Sequence, residues 1–329
     1  MKLKVLTQQD IQNAMNMVDA IAAVRQAYIQ VSRGSAAAPL RTQILVEDKG
    51  VALFMPAFLP HPGALGAKIV SVYQKNLRVQ LPTIHAIIIL LDGATGRPVA
   101  LLDGTYLTAV RTGAASGVAS DLLARKDAKV AAIFGAGVQG RTQLEAVCSV
   151  RTITRAMIYD PNPDAAKVYT SEMQQRGDPI PQDIFVAQTP ADALKDADIV
   201  CTATTSRKPV FEDKDLNPGV HINGIGSYMP EMQEIPAPTV ARSKVVVDSL
   251  SASLSEAGDL IYPLQNRILK KSDIHGEIGQ VASGDIPGRE SDSEVTFFKS
   301  VGLAVQDMAA AALALRTAEE LGLGTNIDL

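Results

Sequence analysis

The run Gly135-Ala136-Gly137-Val138-Gln139-Gly140, followed by Asp160, constrains this chain more than any other stretch. Lys129 to Phe134 reads as a short buried strand, Val138 to Cys148 as a helix, and Ala156 to Asp160 as a second strand that ends in a carboxylate. In that order the glycines acquire separate duties. Gly135 turns the chain tightly, Gly137 lets backbone approach a pyrophosphate, and Gly140 lets helix pack on strand. The helix then offers free N–H groups and a partial positive charge to phosphate, so the segment reads as a dinucleotide-binding βαβ unit. Asp160 can accept hydrogen bonds from both ribose hydroxyls and would repel a 2′-phosphate, and no arginine stands in Pro161-Asn162-Pro163-Asp164. This favours NAD(H) over NADP(H). The alternative for Asp160 is a cap on the helix that begins near Pro163.

At 329 residues the chain has room for two cores. A net charge of −4, with lysines and arginines scattered, predicts no nucleic-acid partner, and no apolar run is long enough to span a membrane. Met1 to Thr7 lacks a secretory core, and Cys148 and Cys201 stand apart in apolar surroundings. These features predict a cytoplasmic protein without a disulfide framework. Four dispersed histidines offer no metal cluster; His221 and His275 read more simply as structural, and His85 is equally open to a core or a ligand role.

Either side of the βαβ unit the texture differs. A helix is expected from Gln8 to Ser32. Strand-like pieces follow at Thr42–Glu47, Val51–Met55, Leu65–Val72, Ile84–Asp92 and Pro98–Asp103, which suggests a mostly antiparallel sheet. Ala114 to Ala124 predicts a small-residue helix. Further strands are expected at Ile184–Ala187, Ile199–Ala203, Val220–Ile225 and Val245–Asp248, and a final alanine-rich helix at Leu303–Leu321. The expected architecture is α/β: a Rossmann-type doubly wound parallel sheet domain, 116–302, inserted in an α+β substrate and dimerisation domain, 1–115 plus 303–329. Cofactor and substrate would meet in a cleft between the two.

Six segments together resemble the ornithine cyclodeaminase/μ-crystallin family across essentially the whole chain. They are Leu81-Pro82-Thr83, Arg111 to Ser116, Gly135 to Gln139, Ile222 to Gly226, Gly288 to Asp292, and Ser300 to Asp307. The resemblance implies a homodimer assembled through the N-terminal sheet. It also implies NAD(P)-linked chemistry at the α-carbon of amino or cyclic imino acids, with one branch that binds thyroid hormone. A substrate bearing a carboxylate beside an imine needs fixed cations. Arg111, expected to open the small-residue helix, can grip a carboxylate bidentately, and the family places it against substrate and nicotinamide. Lys68, a cation amid apolar residues, matches the family's active-site lysine, a substrate ligand and proton donor or acceptor. Arg41 matches a further carboxylate-binding cation. For the cofactor the resemblance adds Thr83, Arg111, Ala203, Asn223, Gly224, Ile225 and Ser300 to Gly135, Gly137, Val138, Gln139 and Asp160. Asp307, on a helix, could touch the site but is expected rather to serve packing or a dimer contact.

One departure narrows the function. Where ornithine cyclodeaminases carry an aspartate that handles the ornithine amines, this chain has Tyr228, which is neutral at pH 7. The expectation is therefore NAD(P)H-dependent reduction of a cyclic ketimine, 1-pyrroline-2-carboxylate or 1-piperideine-2-carboxylate, to L-proline or L-pipecolate. Alanine dehydrogenation, ornithine cyclisation and non-catalytic binding are the alternatives, in that order.

Overall fold

A computed structural model describes residues 2–328 and, within them, every side chain but that of Leu77. The chain opens with strand β1 (Lys2–Leu6) and helix α1 (Gln8–Ala14), which Thr7 caps by accepting from the Asp10 N–H. The single helix expected from Gln8 to Ser32 is two. Met15 is extended, and Asn16 restarts the helix as α2 (Met17–Ser32) by accepting from the Asp19 N–H. Strands β2 (Thr42–Val46), β3 (Gly50–Leu59), β4 (Ala64–Val72), β5 (Ile84–Asp92) and β6 (Pro98–Asp103) follow. Helix α3 (Gly104–Leu123) then begins ten residues ahead of the expected Ala114, because Asp103 closes its first turn by accepting from the Tyr106 N–H at 2.8 Å. Arg111 therefore lies inside this helix rather than at its start.

The chain divides into two compact units, 1–111 with 303–329, and 112–302. The second holds β7 (Val130–Phe134), α4 (Val138–Val150), β8 (Arg155–Tyr159), α5 (Pro163–Gln174), β9 (Asp183–Val186), α6 (Pro190–Leu194), β10 (Ile199–Thr202) and β11 (His221–Gly224). It continues through α7 (Ala237–Arg242), β12 (Lys244–Val247), α8 (Leu250–Glu256), α9 (Gly258–Gln265), β13 (Ile274–Glu277), α10 (Ile278–Ser283) and β14 (Thr296–Lys299). All eight strands are parallel, in the order β13-β12-β14-β11-β10-β7-β8-β9. Strands such as Ile199-Val200-Cys201-Thr202 are buried throughout, as both faces of such a sheet are covered. From β7 the chain steps outward to β8 and β9, then crosses to β10 on the other side of β7. That reversal is the topological switch point of a doubly wound sheet.

Returning to the first unit, the chain forms α11 (Ala304–Glu320) and the edge strand β15 (Thr325–Asp328). The seven strands there run β15-β1-β6-β5-β4-β3-β2, antiparallel except for β1 beside β6. Helix α11 packs on β3 and β4 and against α2. The approach is close enough that a Cβ on Gly66 of β4 would strike the Ile89 carbonyl and the Met308 sulfur. One sheet face is thus covered, and it is the face that carries Lys68.

The other face is not covered in the chain by itself. Phe54, Ile69 and Ile87 sit opposite one another on β3, β4 and β5 and are 36%, 37% and 47% exposed. His85 also points outward from β5 and is exposed, so it is not a core residue.

Candidate active site

In the first unit the covered face of the sheet buries charge. Lys68 alternates inward on β4, opposite Met55 and Ile88, and is 1% exposed. Its ammonium donates to Asp307 Oδ1 at 2.9 Å and lies 2.8 Å from Oδ2. Arg111, also buried, sends Nε to the same Oδ1 at 3.0 Å and Nη1 to Gln306 Oε1 at 2.9 Å. Gln306 is held in turn: its Nε2 donates to the Tyr28 hydroxyl at 2.7 Å, and its Oε1 accepts from the Leu303 N–H at 2.6 Å.

Two cations thus share one carboxylate, which leaves the cluster an excess of positive charge away from water. An anion is the natural complement. Burial, and after it the neighbouring Arg111 charge, pull the Lys68 pKa down to about 7 against the opposing pull of Asp307. Arg41, partly exposed in the segment before β2, adds a smaller downward push. Near neutral pH such a lysine can both give and take a proton.

Asp307 is the main correction to the sequence reading. It is not a packing residue but the counter-ion of both cations. A signal was present, since α11 carries no other ionisable side chain between Ala304 and Leu315, and two buried cations require an anion. Gln306 and Tyr28 were not singled out. Thr83, partly exposed just before β5, accepts from the Tyr73 N–H through its carbonyl.

In the second unit the strand ends at the switch point line a cavity of about 680 Å³ that includes Gly135, Gly137, Asp160, Ala203 and Thr204. Gly135 has φ +103°, and a Cβ there would lie 2.6 Å from the Ala203 carbonyl. Gly137 faces open space and caps α4 without any side-chain hydrogen bond, which leaves the first-turn N–H groups free. At Gly140 a Cβ would strike the Gly135 carbonyl. Val138, 66% exposed, and Gln139 begin the helix.

Asp160 accepts from the Ala136 N–H and the Asn162 N–H, each at 2.8 Å, and so braces the glycine turn while lining the cavity. The cap of α5 is Asn162, which accepts from Asp164 and Ala165, so the alternative reading of Asp160 as that cap is wrong. A bare helix N-terminus, a glycine opening and a carboxylate at the next strand end together fit a dinucleotide's pyrophosphate and adenosine ribose.

Farther along the strand ends, Asn223, Gly224 and Ile225 are buried, and the Asn223 amide donates to the Ser120 hydroxyl at 3.0 Å. Ser300 donates to Asp248 at 2.8 Å. Both side chains are committed to the protein. His221 is buried between Thr296 and Asn223, and burial lowers its pKa to about 3. His275 binds the Pro287 carbonyl at 2.8 Å. Tyr228 lies half-buried on the loop after β11.

Residues 1–320 match the Ornithine cyclodeaminase/mu-crystallin family. A Delta(1)-pyrroline-2-carboxylate reductase of Bacillus cereus is 41% identical over 327 residues, 98% of this chain and 99% of that protein. The structure of the Thermococcus litoralis Delta(1)-pyrroline-2-carboxylate reductase in complex with NADH and L-proline aligns with a TM-score of 0.95 at 43% identity, covering 99% of this chain and 100% of the other. An archaeal alanine dehydrogenase dimer with bound NAD aligns with a TM-score of 0.93 at 36% identity, covering 100% of each chain. The chain belongs to the ornithine cyclodeaminase/mu-crystallin family.

Asp307 raises the Lys68 pKa, so its removal should lower it further. Plotted against pH, kcat/KM should fall through an alkaline limb near pH 7, and Asp307→Asn should move that limb to lower pH. The same change strands two buried cations and should cost about 3–5 kcal/mol in a denaturant titration. A limb that stays in place would separate Asp307 from the proton chemistry.

Proposed function

We propose that this chain is an NADH-dependent reductase of cyclic ketimines that carry a carboxylate on the imine carbon, with 1-pyrroline-2-carboxylate as substrate and L-proline as product. The observation that carries the reading is the buried pair Lys68 and Arg111 on a single carboxylate, a preformed receptor for one small anion. The full-length likeness to pyrroline-2-carboxylate reductases supports the substrate class. Arg111 grips the substrate carboxylate through its planar fork, with Lys68 beside it and Arg41 adding long-range attraction. Bound NADH would supply the hydride that reduces the imine carbon. Lys68 holds a proton for the ring nitrogen, and its lowered pKa makes that proton available near neutrality. The apolar neighbours of Lys68 on β3 and β5 keep water from the cluster and strengthen its charge interactions. Tyr228 offers no fixed negative charge for a second amine, which disfavours ornithine.

The first unit is read as substrate-binding and dimer-forming, and the second as coenzyme-binding. Gly135, Gly137, Val138, Gln139 and Asp160 would hold the pyrophosphate and adenosine ribose. Ala203, Asn223, Gly224, Ile225 and Ser300 would serve the nicotinamide side. Asp160 supports NAD(H) over NADP(H), since a 2′-phosphate would meet its charge. The apolar row Phe54, Ile69 and Ile87, part-exposed side by side on three adjacent strands, supports a homodimer across that sheet face, since contiguous exposed apolar residues mark interaction surfaces. Cys148 and Cys201 are buried free thiols whose pKa values burial raises to about 12, in keeping with a reducing, cytoplasmic setting. Among the described residues no helix is long and apolar enough to cross a membrane.

A second reading, alanine dehydrogenase, is favoured by the aligned alanine dehydrogenase dimer. One assay decides between them. Purified protein with NADH should turn over 1-pyrroline-2-carboxylate far faster than pyruvate with ammonium, and the opposite order would replace the proposal by the second reading. Asp160→Ser should narrow the preference for NADH over NADPH, and an unaltered ratio would detach Asp160 from coenzyme choice. The double change Ile69→Glu and Ile87→Glu should convert a dimer to monomer by light scattering. A dimer that persists would place the interface elsewhere.

A further inference from the structure

The second unit buries another group of charges that the proposed reaction does not use. Glu234, on the loop before α7, is wholly buried, and its carboxylate accepts three hydrogen bonds. Oε1 takes the Thr204 N–H at 2.6 Å, and Oε2 takes the Thr202 hydroxyl at 2.9 Å and the Gly226 N–H at 2.6 Å. Thr202 ends β10 and Gly226 follows the end of β11, so one side chain ties two neighbouring strand ends together.

The loop itself is held from behind. Asp259, in the first turn of α9 and wholly buried, accepts from the Glu234 and Ile235 N–H groups at 2.7 and 3.0 Å. Its other oxygen pairs with Lys299, which ends β14 and donates to the Gly224 carbonyl at 2.9 Å. The consecutive strands β10, β11 and β14 are therefore linked at their C-terminal ends by one buried network of two carboxylates and one ammonium.

Such networks are poor devices for stability alone, because well-packed apolar side chains do as well without desolvating charge. The position of this one points to a different use. Asp160 and the glycine turn lie at β8 and β7, which assigns the adenosine ribose and pyrophosphate to that side of the switch point. A dinucleotide extended from there runs over β10 and β11. Thr204, fixed by Glu234, already lines the same cavity as Gly135 and Asp160. At Gly226 a Cβ would strike both the Thr204 carbonyl and Glu234, so the two strand ends touch with no slack.

We propose that Glu234 is a positioning residue for the nicotinamide half of the coenzyme site: its carboxylate fixes the backbone after β10 and β11 against which that half lies. The inference rests on the reading of the second unit as coenzyme-binding. Glutamine is the instructive replacement, because its amide turns an acceptor into a donor toward groups that are themselves donors.

The test compares two ligands on the full chain. Dissociation constants for NADH and for ADP-ribose, which lacks the nicotinamide, are measured by calorimetry for the wild type, Glu234→Gln and Thr202→Val. Glu234→Gln should weaken NADH on the order of tenfold while ADP-ribose binds as before. Thr202→Val, which removes one donor and keeps the shape, should show the same selective loss at roughly two- to threefold and decides the matter if the glutamine variant fails to fold. Parallel loss of both ligands would make Glu234 a general scaffold residue and overturn the proposal, as would NADH binding unchanged in the folded variants. Wild-type protein that bound neither ligand would instead remove the coenzyme reading underneath.

Discussion

Asp307 is the group on which the first unit depends, because without it neither Lys68 nor Arg111 could remain buried with its charge. Each cation alone would face a desolvation cost of several kcal/mol, and one carboxylate between them offsets part of it for both. The compensation is incomplete in its effect: a positive excess persists, and the lysine is left with a pKa near the middle of the physiological range. The scaffold follows from that need. Helix α11 has to return to the sheet for Asp307 to reach β4, and small residues such as Gly66 let it come close. Gln306 and Tyr28 then set the angle of the Arg111 guanidinium.

The second unit solves a different problem with backbone rather than side chains. Its glycine turn leaves N–H groups free, and carboxylates brace that turn and the neighbouring strand ends from beneath. Asp160 holds the Ala136 and Asn162 amides, Asp248 holds those of Val301 and Gly302, and Glu234 holds those of Thr204 and Gly226. Five strand-end segments, after β7, β8, β10, β11 and β14, are thereby fixed by three acids that accept from main chain, so this edge of the sheet is set before any ligand arrives.

Much of this was legible in the sequence. Ile84–Asp92 and Pro98–Asp103 fall where their apolar runs and flanking turns put them, and the fingerprint elements lie within one or two residues of expectation. What escaped has physical reasons. The break at Met15 and Asn16 depends on a cap inside a continuous amphipathic pattern. The early start of α3 depends on Asp103, which reads locally as the end of a strand. Short strands such as Ile274–Glu277 and Thr296–Lys299 went unread because long-range parallel pairing, not local pattern, makes them strands. Lys68 and Arg111 were visible as candidates, but their shared partner lies 239 and 196 residues away, where no spacing rule reaches.

Recognition of an anion by the buried cations can be measured without turnover. Protein saturated with NADH is titrated with pyrrole-2-carboxylate, a planar mimic of the imine, and with pyrrole-2-carboxamide, its neutral counterpart of nearly equal shape. The carboxylate should bind on the order of a hundredfold more tightly, since only it complements the Lys68 and Arg111 charges. Equal affinity for the two would mean that the buried cations do not form the anion site.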